Sequence, residues 1–560
     1  MFRILRRRSF LGRRALLAVT LIVLAAGAAT LAVVLSSSNP PAPRTVMSIF
    51  QDDRLLLYSP GPTVQRTVAR LKSLGVDRLR VTVTWAYIAP APTSRRRPPG
   101  FDATNPADYR LGGWGPYDRL ALVAAQRGIA LDFDVTVPGP LWAMAGHPPS
   151  AHYAANYRAS PTAFAQFVTA VGKRYSGHYQ ATLIRGAKPF TLPRVSFWTI
   201  WNEPNQPGWL APQWRRVAGR RVQDASRLYR AYLDGAFSAL AATGHRPATD
   251  TILIGELAPE GCSLDRPGSC PYPRPEQPIP PIPFLQGLYC VDGSYRPLSG
   301  ASATALHCPP AGSRAAFVRA HPALFAASGF AHHPYSFFLA PGKPLADPEY
   351  VPLADLSRLE GALDRVYGTY RVHRQLPIYL TEYGYESDPP DPTRGVPLAT
   401  QAAYLDQAEF LAWTDPRVKA LSQFLLADSA PNTQDPVGSP GYWSTFQTGL
   451  EFLNGRLKPS LRGYGLPIFL PDPVVAAEGT TPVWGMLRRA PNSSAQRAEI
   501  EWRPRGGRFR PVASVSTENP DGFFEVAVKV PASGALRIAW TSAAGQVFYG
   551  RAAPVGTRRG

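Results

Sequence analysis

Two glutamates stand where short apolar runs stop. Val195-Ser196-Phe197-Trp198-Thr199-Ile200-Trp201 gives way to Asn202-Glu203-Pro204-Asn205, and Pro377-Ile378-Tyr379-Leu380-Thr381 to Glu382-Tyr383-Gly384-Tyr385. An acid at the C-terminal end of a strand in a parallel barrel sits where the active sites of that architecture lie. Two carboxylates facing each other across such a mouth suit glycosidic bond cleavage. One protonates the leaving oxygen, the other attacks the anomeric carbon, and a separation of about 5 Å gives retention of configuration. Glu203 must hold a proton at the working pH, which an ionised Glu382 nearby favours. Once a glycosyl-enzyme has formed on Glu382 that charge is gone, and Glu203 can deprotonate the incoming water. The two acids are 179 positions apart, so only the fold can bring them together.

The elements that must do so alternate between short β-branched runs and longer helical ones. Strands are predicted at Val46–Phe50, Arg78–Thr84, Ile129–Val135, Val195–Trp201, Thr251–Gly255, Gly329–His333, Ile378–Thr381 and Ala420–Leu425. Eight such βα units predict an α/β fold, a closed (β/α)8 TIM barrel over residues 45–473. The helix after the first strand shows an apolar face of Val64, Val68, Leu71 and Leu74, with Gly75 as its stop. The same pattern recurs at Leu120–Gly128–Ile129, and further helices are predicted over Pro161–Tyr175, Asp224–Ala242, Leu353–Tyr370 and Ala399–Trp413. Between strands five and six, residues 258–310 read as a Cys- and Pro-rich insertion forming a substrate-side rim. From Val474 alternating strands follow, as in Ala498–Trp502, Phe523–Val530 and Ala535–Trp540, and residues 474–560 are expected to form a small all-β sandwich.

Residues 1–14 carry six arginines and no acid, and Ala15–Leu35 is an unbroken run of apolar and small residues. At 1.5 Å per residue that run can cross a bilayer, so it is expected to be a transmembrane anchor or signal segment, with 36–44 as a linker. A basic flank ahead of the span places the remainder outside the cytoplasm, and Arg7-Arg8-Ser9-Phe10-Leu11 resembles a twin-arginine export signal. Cys262, Cys270, Cys290 and Cys308 fall within one stretch, without the paired spacing of zinc sites, so disulfides are expected with all three pairings open. The formal charge of +21 drops to +15 without the N-terminal arginines and is spread along the chain. No aromatic-interleaved basic stripe or helix-turn-helix appears, which argues against a nucleic-acid partner. No Gly-rich phosphate loop or histidine ligand cluster appears either, so neither cofactor nor metal is expected. A monomer with an oligo- or polysaccharide substrate fits these readings.

Trp-Asn-Glu-Pro-Asn, Thr-Glu-Tyr-Gly and the strand-six His333-Pro334-Tyr335 resemble the motifs of clan A glycoside hydrolases over most of residues 45–470. The first and third are similar to family 39, which includes β-xylosidases, and the second to family 5 cellulase-like enzymes. The resemblance implies a retaining β-glycosidase acting by double displacement on a plant- or microbe-derived glycan, with Glu203 as acid/base and Glu382 as nucleophile. It implies further that Asn202 binds the sugar 2-hydroxyl, that Arg80 keeps the nucleophile ionised, that Tyr335 donates to Glu382, and that His333 lines the sugar pocket; because strand neighbours alternate faces, His332 is the alternative inward-pointing residue. Trp443, Trp142, Trp85 and Trp209 are candidate stacking platforms, and Trp201 offers a further sugar-facing ring. Glu256 and Glu386 also follow strands but depart from the clan pattern. The sandwich resembles the immunoglobulin-like accessory modules of secreted hydrolases. A catalytically weak cell-surface carbohydrate-binding protein and a transglycosylase are the alternative functions.

Overall fold

The computed structural model describes residues 43–182, 188–263, 270–309, 313–476 and 478–558. The basic N-terminus and the apolar run 15–35 lie outside them. No described helix is long and apolar enough to cross a membrane.

Eight parallel strands close a barrel: β1 (Met47–Gln51), β2 (Arg78–Thr84), β3 (Ala130–Thr136), β4 (Phe197–Ile200), β5 (Thr251–Leu257), β6 (Gly329–His332), β7 (Ile378–Leu380) and β8 (Val418–Phe424). Each hydrogen-bonds to its sequence neighbours, and β8 returns to β1 through Met47↔Ala420 to Gln51↔Phe424. All eight predicted strands are present. A helix follows each one: α1 (Gly61–Ser73), α2 (Leu111–Arg127), α3 (Pro161–Arg174), α4 (Asp224–Ala242), α5 (Pro281–Leu288), α6 (Leu356–Thr369), α7 (Leu398–Thr414) and α8 (Pro459–Gly465). The predicted face of α1 is buried throughout. Gly75 and Gly128 end their helices at φ +83° and +60°, backbone conformations that favour glycine.

Strand alternation divides the barrel side chains between the lumen and the helix layer. Ile49, Phe197, Leu253, Ala331 and Ala420 form a dry apolar plug in the lumen. Above the plug, towards the strand C-termini, the lumen turns polar with Gln51, Arg80, Asp132, Asp134 and Glu256, all 4% exposed or less.

The stretch expected to be wholly rim divides its labour. Its first part does border the mouth, because Asn205 clasps it: the Asn205 amide accepts from the Ala258 N–H and donates to the carbonyls of Ala258 and Ile279. From Ile279 onwards it enters the helix layer, where α5 packs between α4 and α6, burying Phe284, Leu285 and Leu288. The Pro-Ile-Pro-Pro-Ile-Pro segment of this stretch leads into α5 with Pro281 at its first turn, where a missing N–H costs nothing. Cys262 pairs with Cys270 and Cys290 with Cys308. Two disulfides are consistent with a setting outside the cytoplasm.

After α8 come two sheets. β9 (Ile468–Phe469), β11 (Thr480–Met486) and β14 (Phe523–Lys529) form one. The other is built from β10 (Val474–Ala476), β17 (Ala553–Arg558), β15 (Gly534–Thr541), β12 (Gln496–Pro504) and β13 (Arg510–Thr517), with β16 (Val547–Tyr549) on β15. Val483 and Val528 of the first sheet share a core with Ile500, Trp502 and Ile538 of the second. The sheets begin at Ile468, six residues before the expected boundary, because β9 pairs with β11. They do not stand apart from the barrel: Thr45–Gly560 is one compact unit. Trp484, Met486 and Phe523 join the barrel's own hydrophobic cluster, Trp484 lying 5.7 Å from Phe410 and 6.1 Å from Trp413 of α7.

Candidate active site

The ends of β4 and β5 break the strand rule, and those breaks bring the acids together. On β4, Phe197 faces the plug, so plain alternation would send Trp201 inward. Instead Trp201 takes φ +71°, and its ring stacks at 4.4 Å on Tyr232 of α4, fully buried. The expectation that Trp201 meets a sugar is therefore corrected: its ring belongs to the helix layer. Turning the backbone there frees Asn202 and Glu203 to face the lumen, with Glu203 itself at φ +36°. Such backbone is held only where the surroundings fix it. Here the Trp201 N–H donates to the Val135 carbonyl and the Asn202 N–H to Thr136 Oγ1.

On β5 the device is a bulge. Ala331 of β6 pairs with Gly255 and His332 with Leu257, so Glu256 is the extra residue, at φ +52°. Leu257 is thereby turned out and Glu256 in. Its Oε2 lies 2.5 Å from Arg80 Nη2 and 2.6 Å from His333 Nε2, with no exposure. Glu256 lies outside the motif pattern. The local signal for it was Gly255, since a glycine inside a strand often marks a bulge.

Around this acid the predicted residues assemble. Arg80 Nη1 donates to Glu382 Oε1 at 3.2 Å and to Gln51 Oε1, while Nη2 donates to Asn202 Oδ1 at 2.9 Å and lies 3.3 Å from Asp134 Oδ2. His333 Nδ1 is 2.9 Å from Glu203 Oε1 and 3.5 Å from Glu382 Oε2. The Tyr335 hydroxyl donates to Glu382 Oε2 at 3.1 Å. Oxygens of Glu203 and Glu382 lie within 4.8 Å of each other. Their side chains are 19% and 12% exposed, against none for Arg80, His333 and Glu256, so the open face of the cluster is the gap between those two carboxylates. His332 turns away, its Nε2 2.7 Å from the Val351 carbonyl.

Two carboxylates on either side of His333 push its pKa up to about 10 despite its burial, whereas burial pulls His332 down to about 4. His333 is therefore an imidazolium with both N–H groups donating. For Glu256, Arg80 and His333 together outweigh the cost of burial and hold the carboxyl below its ordinary range. Glu382 goes the other way. Burial lifts it above the ordinary carboxylate range, with His333 and Arg80 opposing the rise. Arg80, expected to keep Glu382 ionised, divides its charge and sits nearer Glu256, at 2.5 Å against 3.2 Å. Asp134 is raised well above the usual range by burial, and Asp132 to about 7.

Glu203, His333 and Glu382 bring three donor atoms within 4.8 Å, a spacing that could suit a cation. Both His333 nitrogens already meet carboxylate oxygens, Nδ1 at 2.9 Å from Glu203 and Nε2 at 2.6 Å from Glu256, an arrangement that fits proton transfer. Of the candidate platforms, Trp85 is fully buried among Phe164 and Phe167. Trp142 packs edge-on against Trp85 and Phe101 and donates to the Pro90 carbonyl. Trp209 packs, partly buried, against the barrel core. Trp443, in the loop after β8, is half-buried beside Tyr442, its indole N–H without a partner among the described residues. None of these contacts reaches either glutamate. Glu386 lies behind the mouth, pushed up to about 8 by burial and by Asp391.

No family model matches the chain, and no curated protein does. Among solved structures it is similar to a glucosidase from Croceicoccus marinus (TM-score 0.45, 11% identity, 88% of this chain and 95% of that one). It is also similar to a β-glucosidase from Exiguobacterium marinum (0.42, 14%, 77% and 98%). A third is a β-glucuronidase from Parabacteroides merdae (0.39, 9%, 92% and 51%), about half of whose length this chain spans. At such identities and TM-scores those activities stay with those proteins, and function here rests on the barrel mouth.

Proposed function

We propose that the chain is a retaining β-glycosidase working outside the cytoplasm on an oligo- or polysaccharide, held at the membrane by its apolar N-terminal run. The observation that carries this is the approach of Glu203 and Glu382 to within 4.8 Å over a buried lattice of two cations. That gap leaves no room for a water between the acid and the anomeric carbon's far face, as inversion needs at about 6.5–9.5 Å, and suits direct attack by a carboxylate.

Glu382 Oε1 and Oε2 are each held by a donor, which fixes the attacking oxygen and favours its charge. Glu203 protonates the leaving oxygen as the bond to the anomeric carbon breaks. Asn202, fixed by Arg80, presents its amide N–H2 to the sugar 2-hydroxyl, where a bond that tightens at the oxocarbenium-like transition state accelerates both steps. When Glu382 becomes an ester its charge disappears. His333 then faces only Glu256 and Glu203, and Arg80 only Glu256 and Asp134 among the acids, which favours Glu203 as the anion that takes a proton from water. Release of Glu382 completes the cycle.

Aryl β-glycosides supply the test. Glu203→Gln and Glu382→Gln should each lose turnover by at least the roughly 10²–10⁴-fold typical of a general acid–base group. NMR of the first product should show the β-anomer, and a 2-fluoro glycoside should label Glu382. An α-anomer would overturn retention, and wild-type silence on every β-glycoside tried would favour a carbohydrate-binding role.

A further inference from the structure

A cleft of about 610 Å³ opens where α8 and the loop before it meet the sheets, within the roughly 300–1,000 Å³ of small-molecule sites. Leu457, Leu461 and Arg462 line it from the barrel, and Arg503, Phe509 and Arg537 from the sheets, with Arg551 beside them. The arginines are not equivalent. Arg551 is paired with Asp406 at 2.5 Å. Arg537 is bonded to Glu501 at 2.6 Å, its guanidinium held 3.9 Å from the Phe509 ring and 3.8 Å from Tyr549. Arg503 lies 4.8 Å over the Phe509 ring, but neither it nor Arg462 pairs with a carboxylate among the described residues. The hairpin between β12 and β13 adds the exposed Arg505, Arg508 and Arg510.

Two guanidiniums, of Arg462 and Arg503, thus line the recess with their charge unanswered, Arg503 lying over the Phe509 ring. A planar guanidinium matches carboxylate and phosphate oxygens in pairs. We infer that this cleft binds an acidic glycan, a sugar chain carrying spaced carboxylate or phosphodiester groups, apart from the catalytic mouth. The recess suits a single thin chain and neither a flat bilayer nor a duplex. Lys458, which also lines the cleft, bonds on its far side to Ser387 Oγ and Asp428 Oδ1, in the loops after β7 and β8. Cleft and nucleophile loop therefore share a wall. The anion site stands on geometry alone, while the choice of a glycan over other polyanions rests on the glycosidase reading.

The full-length Glu382→Gln protein keeps binding and turnover apart as readouts. Anisotropy of labelled polygalacturonate, phosphorylated mannan and neutral dextran should show binding of one or both acidic chains, weakened as ionic strength rises, and none of dextran. The stronger ligand identifies carboxylate or phosphodiester as the preferred group. Arg462→Gln with Arg503→Gln should weaken that binding about ten-fold or more, and Arg503→Glu should weaken it at least as much. Both positions are exposed, and an unchanged thermal melt certifies the fold. Unaltered affinity in these variants, binding of dextran as tight as that of the acidic chains, binding of single-stranded DNA as tight as theirs, or no binding of either acidic chain would overturn the proposal.

Discussion

Arg80 and Arg488 are both buried arginines meeting carboxylates, and they are used in opposite ways. Arg488, from the sheets, lies 2.5 Å from Glu409 of α7 and 4.1 Å over the Tyr464 ring of α8, a single pair inside a wall of aromatics. Arg80 touches Glu256, Glu382, Asp134, Asn202 and Gln51 at once. A one-to-one buried pair locks a joint, since removing either member strands a charge. A shared cation does not belong to any one acid, so under the proposed mechanism charge can be withdrawn from Glu382 by esterification while Glu256 keeps the guanidinium in place. Rigid joint and exchangeable lattice are built from the same residue types, and the number of partners tells them apart.

That contrast can be broken from either side. The largest effect belongs to the joint: Trp484→Ala, which empties the seam among Phe410, Trp413 and Phe523, should cost about 3–5 kcal/mol of stability. Chemical denaturation measures this, and kcat/KM of the folded fraction should stay at the wild-type value. A fall in kcat/KM without a fall in stability would mean that the sheets reach into the chemistry. Next comes the lattice. Glu256→Gln keeps the shape but removes one charge, and kcat should drop about 10²-fold with KM little changed, the lower end for a group acting on proton transfer. Its pH profile should move as well. With Arg80 and His333 freed to act on Glu382, the acid limb of kcat/KM should shift to lower pH, which loss of mere packing would not do. The smallest effect is on stability against pH. His333 is raised from its ordinary value to about 10, so its contribution is complete below about pH 6.5 and is lost as pH rises towards 10. Melting temperature should decline across that window in wild type and flatten in His333→Gln.

The barrel was legible because its information is local: apolar runs ending in Gly, Pro or a polar residue, eight times over. Glu203, Glu382, Asn202, His333 and Tyr335 were legible because each sits in a short motif at a strand end, and Arg80, inside β2, through the clan resemblance; all six do converge. What stayed hidden depends on changes of phase. Trp201 reads as a mouth residue until a left-handed backbone turns it to α4, and Glu256 reads as a strand-end bystander until the bulge turns it inward. The rim fared similarly. Its cysteines and prolines announced a loop, but Phe284, Leu285 and Leu288 fill the fifth helix position, which eight residues rich in proline do not advertise. The continuity of the sheets with the barrel rests on Trp484 and Phe523, whose partners on α7 lie far away in sequence.

The bulge on β5 has a bearing on how this chain tolerates change. Keeping all five residues from Leu253 to Leu257 but pairing them with β6 in strict alternation, with none left over, would look like a repair. It would also exchange inside for outside at the strand's end, sending an acid towards α4 and an apolar side chain towards Arg80. The most orderly version of this strand is thus one the proposed chemistry cannot use, and its irregularity is the part that an engineer smoothing the barrel would have to leave alone.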